Sequence, residues 1–186
     1  LQDIEVTSER VPLTFSVAPR LVTVMTKEDV SAATAQSIND LLEYAVGVDV
    51  RQRGEMGVQS DISVRGGTFD QITILLNGIN ISSPHTGHLS ADFPVSMDEI
   101  ERVEVLEGPA ARQFGTSAFN GAINIVTKCD TSSHIAGHVF GGSYGYGGGE
   151  MSANLSTKKV HQQISGGFRR ADGDQENSDF KQTKFF

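Results

Sequence analysis

A single cysteine, Cys129, occurs in 186 residues, which excludes a disulfide framework and any cysteine-based zinc site, since both need a second thiolate. Cys129 reads as a quiet residue in or beside a strand. Long apolar runs are missing too: no stretch of 18 or more apolar residues exists, so the sequence encodes no transmembrane helix, although membrane-spanning strands would leave no such run. Basic clusters are scarce, and the net charge of −8 argues against nucleic acid as a partner. H-E-x-x-H is absent, and no Cys/His arrangement suggests a nucleophile, so the sequence does not read as an enzyme. The chain begins at Leu1 without a methionine, a basic start or an apolar h-region, which suggests that any signal peptide has been removed.

What is present divides near residue 128. The hydrophobic share of 38%, together with 20 glycines, is that of a chain able to bury a core. Residues 1–128 carry 17 acidic and 9 basic side chains, whereas 129–186 carry 6 of each, so the whole negative excess lies in the first part. Half of the glycines fall in the last 58 residues, which signals a different texture.

In the first part, Pro12 and Pro19 discourage regular pairing in a loose arm over residues 1–19. Arg20 to Thr26 is rich in β-branched residues and reads as a strand. Thr26 with Asp29, and Ser37 with Asp40, are helix-starting caps. After the second cap, Ile38, Leu41, Leu42, Ala45 and Val46 share one helical face, and Gly47 ends the helix. Short apolar runs at 48–51, 61–65, 72–76, 102–106 and 122–127 read as strands of one mixed sheet, with a tight turn at Asn77-Gly78.

The last part alternates. Ile135/Val139, Met151/Ala153/Leu155 and Val160/Ile164/Phe168 each share a face, and Ser152, Asn154, Ser156, Gln163 and Ser165 take the other. Such strands suit a membrane barrel wall with lipid on one side and water on the other, and equally a soluble antiparallel sheet. Gly141 to Gly149 reads as a wide turn with Tyr144 and Tyr146 suited to a membrane interface.

Two segments choose between those readings. Val64-Arg65-Gly66-Gly67 followed by ITILLNG (72–78), and IERVEVLEGPAARQFGTSAFNGAINIVTK (100–128), resemble the signature blocks of the plug domain of TonB-dependent outer-membrane receptors. The resemblance implies an α+β plug domain with a small mixed sheet and short helices, followed by antiparallel strands of an incomplete transmembrane β-barrel. It implies an arm over 1–19, a plug over 20–128 and first wall strands over 129–186. DIEVTS, that is Asp3, Ile4, Glu5, Val6, Thr7 and Ser8, resembles the TonB box, whose β-prone residues would add as a strand to a partner's sheet edge. The partners implied are TonB of the TonB–ExbB–ExbD complex, the remainder of the barrel, outer-membrane lipid and a small-molecule substrate.

Site residues follow from the same likeness. Arg65 and Arg102 are expected to pair with carboxylates, either as ordinary surface ion pairs or, as the family implies, against the inner barrel wall; Glu107 stands where many members carry arginine. The loop 80–94 is long and polar, so Ser82, Ser83, His85, Thr86 and His88 are candidate substrate contacts, with Arg53, Met56 and Gln59 of a second outward loop. His85 and His88 make a poor metal pair, since Pro84 and Gly87 oppose the helix that would align them. Asp172, Asp174, Glu176 and Asp179 offer oxygen ligands at short spacing for calcium in an extracellular loop, against the plainer reading of a solvated acidic loop; no other cofactor is expected. NGINISSPHTGH (77–88) and GPAARQFGTSAFN (108–120) look most like the cobalamin-receptor branch, so a corrinoid is the expected cargo, with an iron siderophore as the alternative. From another class, the chain would be a soluble periplasmic binding module.

Overall fold

The computed structural model describes residues 5–6, 13–14, 22–35, 37–52, 60–82, 93–108, 117–128, 132–157, 160–174 and 178–185. Two short strands, β1 (Glu5–Val6) and β2 (Leu13–Thr14), pair antiparallel in the arm. Strand β3 (Val22–Met25) then runs into helix α1 (Lys27–Ala32). Thr26 makes that switch possible: its hydroxyl accepts from the Asp29 N–H, while the Asp29 carboxylate accepts from the Thr26 N–H at 2.8 Å. Two otherwise orphaned amide groups are thereby satisfied. Ser37 caps α2 (Ile38–Glu43) from one side only, its hydroxyl accepting from the Asp40 N–H at 3.2 Å. Ile38, Leu41, Leu42 and Ala45 are buried, as the spacing requires, but Val46 is 72% exposed. The helix has already ended at Glu43, and Gly47 at φ +79° turns the chain away, so the helical period no longer governs Val46.

Strands β4 (Val48–Gln52), β5 (Ser60–Val64), β6 (Ile72–Leu76), β7 (Ile79–Asn80), β8 (Ile100–Glu107) and β9 (Gly121–Thr127) complete the leading domain. They do not form the single sheet expected from the sequence. The sheet has the order β3-β8-β9-β6-β7, with β6 and β9 parallel, and β4 and β5 form a separate antiparallel ribbon. Burial explains the division. Strands β6, β8 and β9 carry nearly continuous buried runs, as central strands covered on both faces do, whereas β5 buries every second residue and lies as a layer across the core. Leu41, Leu42, Ile62, Val64, Ile74 and Ile123 meet in that core; Val22, Leu75, Leu106, Ala118 and Ala122 form a smaller cluster. Asn77 and Gly78, at φ +51° and +80°, make the two-residue turn between β6 and β7.

After Lys128 the logic inverts. Strands β10 (His134–Gly141), β11 (Gly147–Ser156), β12 (His161–Ala171) and β13 (Phe180–Phe185) form an antiparallel meander in sequential order. Gly147 to Gly149 belong to β11, so the turn is confined to 142–146 rather than extending over the whole glycine run. On one face Met151, Leu155, Ile164 and Phe168 are 66, 53, 59 and 44% exposed; on the other, Asn154 and Ser165 are buried. Apolar outside and polar inside is the reverse of a soluble sheet. A soluble module would tuck those four side chains against the leading domain, and they face away from it. The sheet does not close among the described residues, and four strands are far short of what surrounds a domain of this size.

Candidate functional site

The inward face of the four-stranded sheet meets the leading domain, and polar side chains link the two. His138 Nδ1 of β10 lies 3.1 Å from the Asp98 carboxylate, which stands in a 3-10 turn (Met97–Glu99) just before β8. Lys128 Nζ donates to the Asp98 carbonyl oxygen, and the Lys128 N–H to that of Glu99 at 2.8 Å, so the same turn also holds the start of the wall. Beside His138, Glu150 Oε1 accepts from Arg169 Nη2 at 2.6 Å and from Nε at 3.2 Å. The Arg169 guanidinium lies over the Phe140 ring at 5.7 Å, and Phe140 stacks on Tyr146 at 5.4 Å. Tyr146 therefore turns inward, and the interface role expected for it in the membrane does not hold. Burial pushes its phenol pKa up; Arg169 opposes that shift and the carboxylates of Glu150 and Asp40 add to it.

Two small spaces interrupt this boundary. One, of about 50 Å³, is lined by Asn39, Ser96, Ser165 and Gln182; the buried Asn39 Oδ1 has no hydrogen-bond partner. The other, of about 40 Å³, is lined by Glu99, His134, Asn154 and Gln163; Glu99 Oε1 is likewise buried without a partner. Each has the volume and the acceptors to hold a few bridging waters.

The arginines pair within the leading domain. Arg65 Nη1 lies 3.3 Å from Glu107 Oε2, with side chains 54% and 11% exposed; its backbone sits at φ +52° and its N–H donates to the Gly47 carbonyl at 2.8 Å. The residue that departs from the family pattern, Glu107, is thus the partner of Arg65. Arg102 Nε lies 2.9 Å from Glu104 Oε1, and the other carboxylate oxygen of fully buried Glu104 accepts from Asn124 Nδ2 at 2.9 Å. Asn124 Oδ1 in turn accepts from the Gly78 N–H at 2.9 Å, tying β8, β9 and the β6–β7 turn into one string. At Gly67 a Cβ would fall on the Asn120 side chain, whose Nδ2 donates to Gln71 Oε1 at 2.7 Å, so the glycine there makes room for a close approach.

Of the substrate candidates, Ser82 is placed at the exit of β7. Its hydroxyl accepts from the Ile74 N–H at 2.9 Å and its own N–H donates to Asn80 Oδ1 at 2.8 Å, which pins the root of the long loop. Arg53, Met56, Gln59, Ser83, His85, Thr86 and His88 lie outside the described residues, as do Asp3, Ile4, Thr7 and Ser8 of the box. Glu5 and Val6 form β1, paired through Glu5↔Thr14 and Val6↔Leu13. In the connection after β12, the Asp172 N–H donates to the Tyr144 carbonyl at 2.9 Å and its carboxylate stands where a Cβ on Gly145 would fall. Asp174 and Asp179 share that connection, and Glu176 lies outside the described residues. Among the described residues no three His, Cys, Asp or Glu side chains gather as a metal would need. Asp98, His138, Glu150 and Arg169 escaped the sequence reading. Inward alternation in β10 to β12 marks the last three, but nothing local marks Asp98.

Comparison with known proteins agrees with this geometry. Residues 16–122 match the model of the family described as TonB-dependent Receptor Plug Domain. The vitamin B12 transporter BtuB of Vibrio vulnificus is 32% identical over 157 residues, 81% of this chain and 25% of that protein. The vitamin B12 transporter BtuB of Photobacterium profundum is 34% identical over 132 residues, 70% of this chain and 21% of that protein. The chain thus spans about a quarter or less of the length of these relatives. Among solved structures, the pyoverdine outer membrane receptor FpvA from Pseudomonas aeruginosa PAO1 superposes with a TM-score of 0.73 at 19% identity, over 97% of this chain and 26% of that one. The relatives are transporters and receptors, and this chain belongs to the TonB-dependent receptor plug-domain family.

Proposed function

We propose that this chain is the plug and the first wall strands of an outer-membrane importer that draws on TonB to bring a corrinoid into the periplasm. The likeness to vitamin B12 transporters, continuous from the plug into the wall over 157 residues, is the observation that carries the cargo assignment. Substrate settles on the outward loops at 53–59 and 82–88. The arm, with its box at residues 3–8, hands an extended strand to TonB in the periplasm, where main-chain pairing supplies the grip. A pull on that arm reaches a plug whose boundary with the wall carries the His138–Asp98 contact and small cavities with unpartnered acceptors, where polar partners can exchange. Arg65, half exposed beside Glu107, is positioned to exchange its partner for a wall carboxylate as the plug moves. The protein performs no bond chemistry.

Isothermal calorimetry of the intact receptor tests the cargo. Saturable binding of cyanocobalamin, with none for ferric pyoverdine, is the expected result; the reverse outcome moves the assignment to iron siderophores, the cargo class of the FpvA structure. Val6→Pro tests the grip, because proline cannot donate to a partner strand. Uptake should fall to background while binding is retained; unchanged uptake would remove the box from the mechanism.

A further inference from the structure

A cavity of about 770 Å³ opens between the plug and the wall turn 142–146. That volume is on the scale of small-molecule sites, about 300 to 1,000 Å³. Phe140, Tyr144, Tyr146 and Glu150 line it from the wall, and Met97 and Asp98 from the plug. Tyr144 marks the place as more than a gap in packing. Its backbone sits at φ +55°, a conformation that a residue with a Cβ keeps only where its surroundings impose it. Here the Tyr144 carbonyl oxygen accepts from the Asp172 N–H at 2.9 Å, and the Tyr146 carbonyl oxygen from the Gly142 N–H at 2.8 Å. Tyr144 nevertheless stays 66% exposed, so the strained turn presents a large ring at the edge of the cavity rather than burying it in a core. The turn lies at the same end of the wall as the connection 172–179, the longest between wall strands, and long connections of outer-membrane barrels face outward.

The charged groups of this cavity are acceptors. One carboxylate oxygen of Asp98 lies 3.1 Å from His138 Nδ1, and the other has no partner among the described residues. Glu150 Oε2 lies 4.0 Å from His138 Nε2, while Oε1 is engaged by Arg169. No lysine or arginine lines the cavity among the described residues. Such a lining repels an anionic guest and suits a neutral one whose edge carries N–H donors. A corrinoid is a guest of that kind, because its macrocycle is rimmed by primary amides. An amide N–H offered to a carboxylate makes a charge-assisted hydrogen bond, whereas an isosteric carboxylate in its place meets like charge. We propose that the cavity is a specificity subsite in which Asp98 accepts from a rim amide of the corrinoid and the Tyr144 ring covers the adjoining edge of the macrocycle. Derivatives in which that amide is hydrolysed to a carboxylate are turned away. The inference rests on the corrinoid reading above and adds to it the residue that discriminates.

Competition binding to the intact receptor in detergent micelles tests the subsite. The probes are cyanocobalamin and its set of monocarboxylic acids, each with one rim propionamide hydrolysed. Wild type should bind cyanocobalamin about tenfold more tightly than at least one member of the set, the low end for a hydrogen bond to a charged group, since Asp98 is half exposed. Asp98→Asn should narrow that gap to about twofold or less, because a neutral acceptor no longer repels the acid. Asp49→Asn, beside Arg51 on the plug surface, should leave the gap intact. Tyr144→Gly, which fits φ +55° without the ring, should weaken cyanocobalamin and every derivative alike by about three- to tenfold, and Tyr144→Phe should not. Heat-modifiable migration checks the folding of each variant, and the Tyr144 pair carries the test should Asp98→Asn not fold. Equal affinity of wild type for cyanocobalamin and the whole set, an undiminished gap in Asp98→Asn, an equal narrowing in Asp49→Asn, unchanged affinity in Tyr144→Gly, or an equal loss in Tyr144→Phe would each overturn the subsite. Cyanocobalamin without measurable affinity for wild type would instead overturn the corrinoid reading itself, so the two failures are distinguishable.

Discussion

Replacing Asn124 by alanine should loosen the centre of the plug without touching the wall. Asn124 is fully buried on β9, donating to Glu104 and accepting from the Gly78 N–H. Truncation strips one donor from a buried carboxylate and leaves a turn amide short of its acceptor. A buried group so orphaned costs roughly 1 to 3 kcal/mol, with charged groups at the upper end. The Gly78 amide lies in a half-exposed turn where water can replace the acceptor, so its share is the smaller. A sum of about 3 kcal/mol is expected, or a little over two decades in an opening equilibrium. Hydrogen exchange by mass spectrometry on the intact receptor reads this directly. Amides of β8 and β9 should exchange about a hundredfold faster, while those of β11 and β12 keep the wild-type rate. A change below about threefold in β8 and β9 would refute the reasoning, since it would mean that Glu104 does not depend on Asn124. Glu104→Met/Asn124→Leu should lose less than the sum of the single changes, because apolar groups of similar shape leave no carboxylate to satisfy.

Three further outcomes follow from the geometry. Arg65→Gly should leave the melting temperature of the plug within about 2 °C of wild type, because relief of the φ +52° backbone offsets a half-exposed ion pair worth only about 0 to 1 kcal/mol; a larger drop would show that the Glu107 contact is more than a surface pair. Asp98→Asn should barely alter exchange at the plug–wall boundary, whereas Arg169→Ala, which strands the mostly buried Glu150, should speed exchange in β11 and β12 about tenfold or more; equal effects would contradict the ranking by burial. Tyr146 carries a raised pKa, so its neutral form favours the folded state below pH 10 and that contribution fades as pH climbs through the folded value. The ultraviolet titration of wild type minus Tyr146→Phe should show one phenol step centred above pH 10, and a step below 10 would contradict the inward placement.

Much of this architecture could be read from local chemistry. Thr26 and Ser37 announce the two helices because a side-chain oxygen at an N-cap needs only residues three positions away. Asn77-Gly78 announces its turn because both positions need φ above zero, and the alternation of 151–168 announces a sheet with unlike faces because strand side chains alternate strictly. Other features were misjudged for a common reason. That β4 and β5 stand apart from the main sheet and that Tyr146 points inward each depend on which element lies opposite, and no window of the sequence contains that neighbour.

The sequence by itself determined the division at Lys128, the strand and helix order and the family blocks, since each is written in contiguous residues. Only the tertiary structure decided who meets whom: Arg65 with Glu107 across 42 positions and Asp98 with His138 across 40. Charges find partners through space, and burial rather than chain distance sets the value of each contact. Placing the wall's polar face against the plug and its apolar face away from it is therefore a result of packing, which alternation permits but does not select.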